Sequence, residues 1–481
     1  MTYYEEKKRL KKAILTSLSS VPEVLSVTIV GSFVDSDDLT GISDIDTIVI
    51  CDRLTQEVFE KCLDKAKAIS LESIGLKEYR LKINTSFGPL KFDEPQLAVL
   101  HLMIYDIDGH CHHAVASPFT CLDWERSCNF EGEKLKEVFP VGRLQPRDFQ
   151  EARRGLDNYL NDLQNGTISI RDYVFQNTDV AEVVRTHPLD DRHRGEYAYH
   201  IVRNLILNKL KLLNAENRLF TQSELENEIE ELLDRESSEH KLNFRHLTQL
   251  KKQRSKVYPE WTLDWTKAFI RDFQKDFVHR WENAQTVHVI RHARTSKNDG
   301  TFLGQGRNPS ILTQDLVPLS GNEITKLYCS PAKRCLETAE LMVPHLQIVT
   351  DERLREINYG AAEGFTYEDL KQFHPEMIHD WAAGQDPHFP SGGENTNDVL
   401  VRILDFISEL KSDSNQIIAV MTHNVVLRCL IGEAHDIPKE LWYRLVIPHA
   451  ECLEFKLLDG KLYANIDRNQ LGEVFSKLRK S

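Results

Sequence analysis

The chain has 481 residues, 41% of them apolar and 28% charged, enough core material for about two to four domains rather than one. A net charge of -14 excludes a protein that coats nucleic acid through bulk positive charge, though a local basic pocket for a small phosphorylated substrate remains open. Nine cysteines with no CxxC pair among them read as reduced thiols rather than a disulfide framework.

In chain order, "YEEKKRLKKAILTSL" has helical spacing, "SVTIVGSF" and "DIDTIVI" read as strands, and "QLAVLHLMIYD" as a long apolar strand. From about residue 140 to 284 strong strand runs are lacking, and stretches such as "EYAYHIVRNLILNKLKLL" and "SELENEIEELLDRE" predict helices. Strand–helix alternation returns with "TVHVIRH", "KLYCS" and "QIIAVMTHN", closing on the hairpin "CLEFKLLDGKLYANI" with Asp-Gly at its turn. The expected fold class is multidomain α/β, with regions at 1–135, 136–284 and 285–481. The charged start "MTYYEEKKRLKK" precedes no apolar h-region, and no run reaches the ~18–20 apolar residues of a membrane span. A cytoplasmic protein without a membrane partner is therefore expected.

The first candidate site lies in "VTIVGSFVDSDDLTGISDIDTIVI". Strand side chains alternate, so Asp44 and Asp46 share a face. Paired carboxylates repel unless a cation lies between them, and Mg²⁺ takes such pairs together with water and substrate phosphates. Gly31-Ser32, just after a strand, lets backbone N–H groups and a hydroxyl approach a triphosphate. Together these parts point to metal-assisted phosphoryl or nucleotidyl transfer. A solvent-facing strand end is the plainer reading, and the flanking Ile45, Ile48 and Ile50 weigh against it.

This segment resembles the signature of the polymerase-β-like nucleotidyltransferase superfamily, over roughly the first 130 residues. The resemblance implies an α+β nucleotidyltransferase fold in which Asp44 and Asp46 carry Mg²⁺ and Gly31 and Ser32 hold the phosphates of an NTP. The family usually has a third acid. Asp93, in "LKFDE", is the candidate here, with Asp106 at the end of the strand that also carries His101. Without a third acid the region would bind nucleotide as a sensor.

Two weaker signals lie further along. "HCHH" at 110–113 has metal-ligand residue types but consecutive spacing, which predicts a hairpin surface rather than a metal site. Arg194 and His200, in "RHRGEYAYHIVRN", form an Arg-x5-His arrangement that resembles helical HEPN domains, some of which cut RNA. A packed or surface helix is the plainer reading, and a lining for an acceptor pocket is a further alternative.

The second candidate site begins at "VHVIRHARTSKNDG". An unprotonated histidine ring nitrogen can attack phosphorus, and neighbouring arginines neutralise the phosphoryl oxygens. Arg291-His292 falls where a strand ends, the position at which α/β folds bind ligands. "YCSPAKRCLETAEL", "DERLREINYGAAEG", "GGENTNDVLVRIL" and "IIAVMTHNVVLRCLIG" follow. In order and spacing these blocks resemble the histidine phosphatase superfamily, which includes the phosphoglycerate mutases, over residues 285–481.

That resemblance implies a three-layer α/β phosphoglycerate mutase-like fold with His292 as phosphate-accepting nucleophile. Arg291, Arg334 and Asn298 would bind the phosphate and His423 would donate to it. Glu356 would protonate the leaving alkoxide, which needs a carboxyl whose pKa is raised. No metal is implied for this half. Arg294 stands where the family has an acid, so it either favours a more anionic substrate or points to solvent. "GAAEGFTYEDL" resembles the phosphatase rather than the mutase branch.

The expectation is thus a bifunctional enzyme using an NTP and a small-molecule substrate, which can be phosphorylated. A helical substrate-binding region lies between its two catalytic parts, and nucleic acid is disfavoured. The alternatives are a phosphatase with a degenerate nucleotide-sensing first region, or a regulatory, toxin–antitoxin-type module that modifies protein or RNA.

Overall fold

The computed structural model describes residues 4–35, 44–88, 94–176, 178–234, 238–253, 255–313, 316, 318–319, 324–410 and 416–479. The chain divides into two compact units, Met1–Val278 and His279–Ser481. Among the described residues no helix is long and apolar enough to cross a membrane.

In the first unit, β1 (Val24–Val30), β2 (Asp44–Cys51), β3 (Arg80–Asn84), β4 (Leu97–Asp106) and β5 (Phe130–Gly132) form one sheet in the order β3-β4-β2-β1-β5. Strands β3, β4 and β2 run parallel, and β1 and β5 are antiparallel additions. The central strands are near-continuous apolar runs because both faces are covered. Leu10, Ile14 and Leu18 of the helix Tyr4–Ser19 pack into the same core as Val27, Ile29, Ile45 and Leu100.

Two expectations are corrected in this unit. Residues 140–284 are not without strands: β6 (Thr167–Gln176) and β7 (Asp179–Pro188) pair along their whole length as an antiparallel hairpin. It packs on the first sheet. Tyr173 uses its hydroxyl to bond both the N–H and the carbonyl of Ile104, and its ring meets Phe59 at 4.9 Å. The alternation in "TISIRDYVFQ" lapses after Ile170, and only Ile168 and Ile170 are fully buried, so the strand gives no strong apolar run. The "HCHH" tract is not a hairpin but part of the helix Ile107–Ala116, capped by Asp106, whose Oδ1 accepts from Gly109 N at 2.7 Å. On that helix His110 and His113 face inward, three residues apart on one side.

Beyond the hairpin the expected helices form. Asp191–Asn214 buries Tyr197, Ala198, Ile201, Val202 and Leu205, while Gln222–Leu232 starts at a Thr221/Glu224 capping box.

The second unit holds a six-stranded sheet of β8 (Gln285–Arg291), β9 (Ile324–Cys329), β10 (Ile348–Thr350), β11 (Ile417–Thr422), β12 (Cys452–Leu458) and β13 (Lys461–Ala464). Its order is β10-β9-β11-β8-β12-β13, the first four parallel and the last two antiparallel. The β12–β13 turn has Asp459 and Gly460 both at positive φ, 50° and 75°, as a two-residue hairpin of this hand requires.

Because β11 returns between β8 and β9, the carboxyl ends of three parallel strands lie side by side. Thr422 is in register with Arg291, and Ser330 N donates to Met421 O at 2.9 Å. His292, Ser330 and His423 each follow one of these strands, so the topology gathers them in one crevice.

The helix Asn424–Ala434 leads away from His423 and packs closely on Trp442. A Cβ on Gly432 would fall 2.2 Å from the Trp442 indole nitrogen. Gly432→Ala is expected to cost about 1–3 kcal/mol through overpacking, read as a lower melting temperature of the second unit's transition in scanning calorimetry.

Candidate active site

His292 is 3% exposed. Its Nδ1–H donates to the Ala293 carbonyl at 2.7 Å, which leaves Nε2 without a proton and as the acceptor of Arg334 Nε–H at 3.3 Å. The neighbouring bond thus selects the tautomer a nucleophile needs. Burial, then the charge of Arg334, pushes the His292 pKa well below its ordinary value.

Arg334, 1% exposed, starts the helix Lys333–Met342 after β9. Its terminal nitrogens donate to the Gly304 and Arg307 carbonyls at 3.0 and 3.2 Å. Arg291 donates to the Ile447 carbonyl and to His449 Nε2, and its Nε has no partner. Burial lowers its pKa to about 10. Neither arginine forms an ion pair with a described carboxylate.

His423 is fully buried; its Nε2 bonds the Ser330 hydroxyl at 2.8 Å. Its ring lies 5.2 Å from that of His292, and burial lowers its pKa well below the ordinary value. Glu356, 5% exposed, accepts from Ile357 N at 3.0 Å and Val425 N at 3.2 Å. Burial raises its pKa, opposed by the Arg334 charge and those backbone bonds. The five residues expected at the centre of the site, Arg291, His292, Arg334, Glu356 and His423, therefore converge.

The two remaining expectations divide. Asn298 turns its Oδ1 to Thr295 N and Oγ1, at 2.7 and 3.0 Å, so it pins the loop after the nucleophile. Arg294 is exposed, and its charge helps to lower His449 to about pKa 4, after burial and Arg291.

Sequence reasoning missed His449, Ser330, Gln305 and Arg402. Gln305 Nε2 and Arg402 both donate to the Glu356 carbonyl, and Arg402 pairs with Glu394 at 2.8 Å. These residues sit on segments remote in sequence; Ser330, Arg402 and its partner Glu394 lay in quoted blocks without being singled out, and His449 and Gln305 lay outside them. The tract "GAAEG" has a legible mechanical role. Glu363 accepts from the N–H groups of Gly306 and Arg307, so it clamps the loop whose carbonyls hold Arg334.

In the first unit, Asp44 and Asp46 are neighbours on β2, and Asp46 is in register with His101 on β4. His101 Nε2 lies 3.7 Å from Asp44 Oδ1, and its Nδ1 bonds Asn84 at 2.9 Å. Gly31, at φ +75°, backs onto this pair: a Cβ there would fall 2.7 Å from Asp46 Oδ2. Ser32 begins the short helix Ser32–Asp35. Asp93 lies outside the described residues. Asp106 is not beside the pair. Five residues further along β4 than His101, about 16 Å at strand rise, it caps a helix and accepts from Leu54 N at 3.4 Å.

Among the described residues no group of three or more His, Cys, Asp or Glu is placed to hold a metal ion. Arg194 and His200 lie on the helix Asp191–Asn214, six residues and so about 240° apart around it; they share no face, and Arg194 is exposed.

Residues 287–465 match the family model "Histidine phosphatase superfamily (branch 1)". The chain is 32% identical over 161 residues to 6-phosphofructo-2-kinase/fructose-2,6-bisphosphatase of Caenorhabditis elegans, covering 32% of this chain and 35% of that one. It therefore spans about a third of that relative's length. It is 29% identical over 161 residues to phosphoserine phosphatase 1 of Hydrogenobacter thermophilus, covering 30% of this chain and 72% of that one. Among solved structures, alpha-ribazole phosphatase from Shigella flexneri aligns at 20% identity and TM-score 0.33, over 38% of this chain and 96% of that one. Residues 287–465 thus match a histidine phosphatase domain, and the second unit that holds them is an α/β fold by its own sheet.

Glu363→Ala is expected to free the 304–307 loop and misaim Arg334. Losing two hydrogen bonds to a charged group should weaken competitive inhibition by inorganic phosphate about tenfold or more, with little change in the helical signal by circular dichroism.

Proposed function

We propose that the C-terminal half hydrolyses a phosphomonoester through a phosphohistidine on His292. One observation carries this reading: a buried arginine, Arg334, and a half-buried one, Arg291, flank a buried neutral imidazole and have no carboxylate partner among the described residues. Buried cations left unpaired are costly, and a phosphoryl dianion is the ligand that completes them. His292 Nε2 attacks phosphorus, the P–O bond breaks, and protonated Glu356 gives its proton to the departing oxygen. Water then attacks phosphorus and gives a proton to Glu356, the P–N bond breaks with its electron pair returning to Nε2, and inorganic phosphate leaves. Arg291, Arg334 and His423 hold the phosphoryl oxygens throughout.

His292→Ala is expected to abolish both phosphate release and an alkali-stable, acid-labile phosphoprotein trapped by rapid quench. Asp44→Ala with Asp46→Ala should leave both in place. Phosphate release that survives in His292→Ala would overturn the assignment.

The pH dependence follows from the two shifts. His292 must be neutral, and with its pKa lowered it stays so below the ordinary histidine range. Glu356 must be protonated, and with its pKa raised it stays so above the ordinary carboxylate value of 4.5. The kcat/KM profile should fall on the acid side as His292 protonates and on the alkaline side as Glu356 ionises. Glu356→Gln should lower kcat by about 10²–10⁴ for a poor leaving group.

For the N-terminal half we propose nucleotidyl transfer, supported by Gly31 packed against Asp46, which shares a face of β2 with Asp44. Two carboxylates on one face suit Mg²⁺, which fills its remaining positions with water and phosphates. When bound, the ion would neutralise the triphosphate that Gly31 and Ser32 approach. Gly31→Ala, strained at its positive φ and colliding with Asp46, should abolish Mg²⁺-dependent pyrophosphate release from NTPs and leave His292-dependent hydrolysis intact. No release from wild type with any NTP would favour a nucleotide-sensing domain.

A further inference from the structure

Next to the phosphate cradle of the second unit lies a cavity of about 490 Å³, within the range of small-molecule sites. Ile357 and Val425, whose N–H groups hold Glu356, line it. It therefore opens beside the carboxyl that serves the departing oxygen, on the leaving-group side of the site. Its wall is aromatic. Tyr359 stacks on Phe302 at 4.8 Å and meets Phe389 edge-on at 4.7 Å, and Trp381 closes against Phe389 at 5.5 Å.

One charged side chain in this lining stands out. Arg428 follows His423 by little more than one helical turn, and it donates from Nε to the Leu445 carbonyl at 2.8 Å. Its two terminal nitrogens have no acceptor among the described residues, and it makes no ion pair there. Of the two acids in the lining, Glu440 is exposed and Asp386 is already used: its carboxylate accepts from Thr396 N and Asn397 N, at 3.1 and 2.9 Å, at the start of the helix Thr396–Ser408. A guanidinium fork held at one end among aromatic carbon is a preformed receptor for a planar anion.

We propose that this cavity binds the leaving alcohol, and that the alcohol carries a flat aromatic or heteroaromatic group together with a second anionic group held by Arg428. The proposal rests on the hydrolase reading above and adds the substrate class. A serine or other small aliphatic alcohol would leave the aromatic wall bare and most of the volume to water. Stacking on Trp381 and Phe389 rewards a ring, and Arg428 rewards a carboxylate or phosphate on it.

Three phosphomonoesters separate the parts when assayed with the full chain: ethyl phosphate, 2-naphthyl phosphate and the phosphate ester of 3-hydroxy-2-naphthoate. Wild type should prefer them in ascending order, with kcat/KM rising about tenfold at each step, the scale of one aromatic contact and then one charge-assisted hydrogen bond. Trp381→Ala should shrink the first step and Arg428→Met the second, each more than it changes the other. Calorimetric titration with the product 3-hydroxy-2-naphthoate, which needs no turnover, should show binding that weakens about tenfold in Arg428→Met.

Equal hydrolysis of all three esters, with no product binding, would overturn the proposal and leave the hydrolase reading standing. Product binding that depends on Arg428, without phosphate release from any ester, would support the pocket and count against the hydrolase reading.

Discussion

Positive charge drawn wholly or partly out of water, with no carboxylate partner among the described residues, is the constraint on which the second unit depends. Arg334 is among the most deeply buried large side chains in the protein, yet its bonds go to two backbone carbonyls and one imidazole nitrogen. Arg291 is held by a carbonyl and by His449. Backbone carbonyls orient a guanidinium without neutralising it, so its charge stays available to a ligand. Burial first, and this field after it, lowers the pKa of His292, His423 and His449, and the same field opposes the rise that burial imposes on Glu356.

The scaffold answers that cost with neighbours that are themselves firmly held. Glu363 clamps the loop that offers its carbonyls to Arg334, and the Arg402–Glu394 pair supports the carbonyl of Glu356 from behind. Thr422 donates to the Leu354 carbonyl at 2.8 Å and so ties the end of β11 to the segment that leads to Glu356. These are positioning contacts: each sets the direction of a group that faces the crevice at the strand ends. The aromatic cavity lies on the Glu356 side of this frame, where Ile357 and Val425 line it.

The first unit shows a different economy. Its sheet places Asp44 and Asp46 at the start of a central strand, with Gly31 giving the space that a Cβ would take. The register partner of Asp46 on β4 is His101, and the acid at the far end of that strand serves as a helix cap. The hairpin at 167–188, invisible to a search for strong apolar alternation, packs on this sheet through Tyr173.

What the sequence by itself determined was local chemistry and period. Strand ends carrying Arg-His and Thr-His, an alternating Asp pair after Gly-Ser, and an Asp-Gly turn are all written in adjacent residues, and each was legible before any fold was known. Tertiary structure decided what adjacency cannot encode. It brought Arg291 to His449 across 158 residues and Gln305 and Arg402 to one carbonyl. It also turned "HCHH" into a helix with two buried histidines. The physical reason is that backbone hydrogen bonding and side-chain period act over a few residues. Which charges end up buried together depends on strand order, and strand order is settled by the packing of the whole sheet.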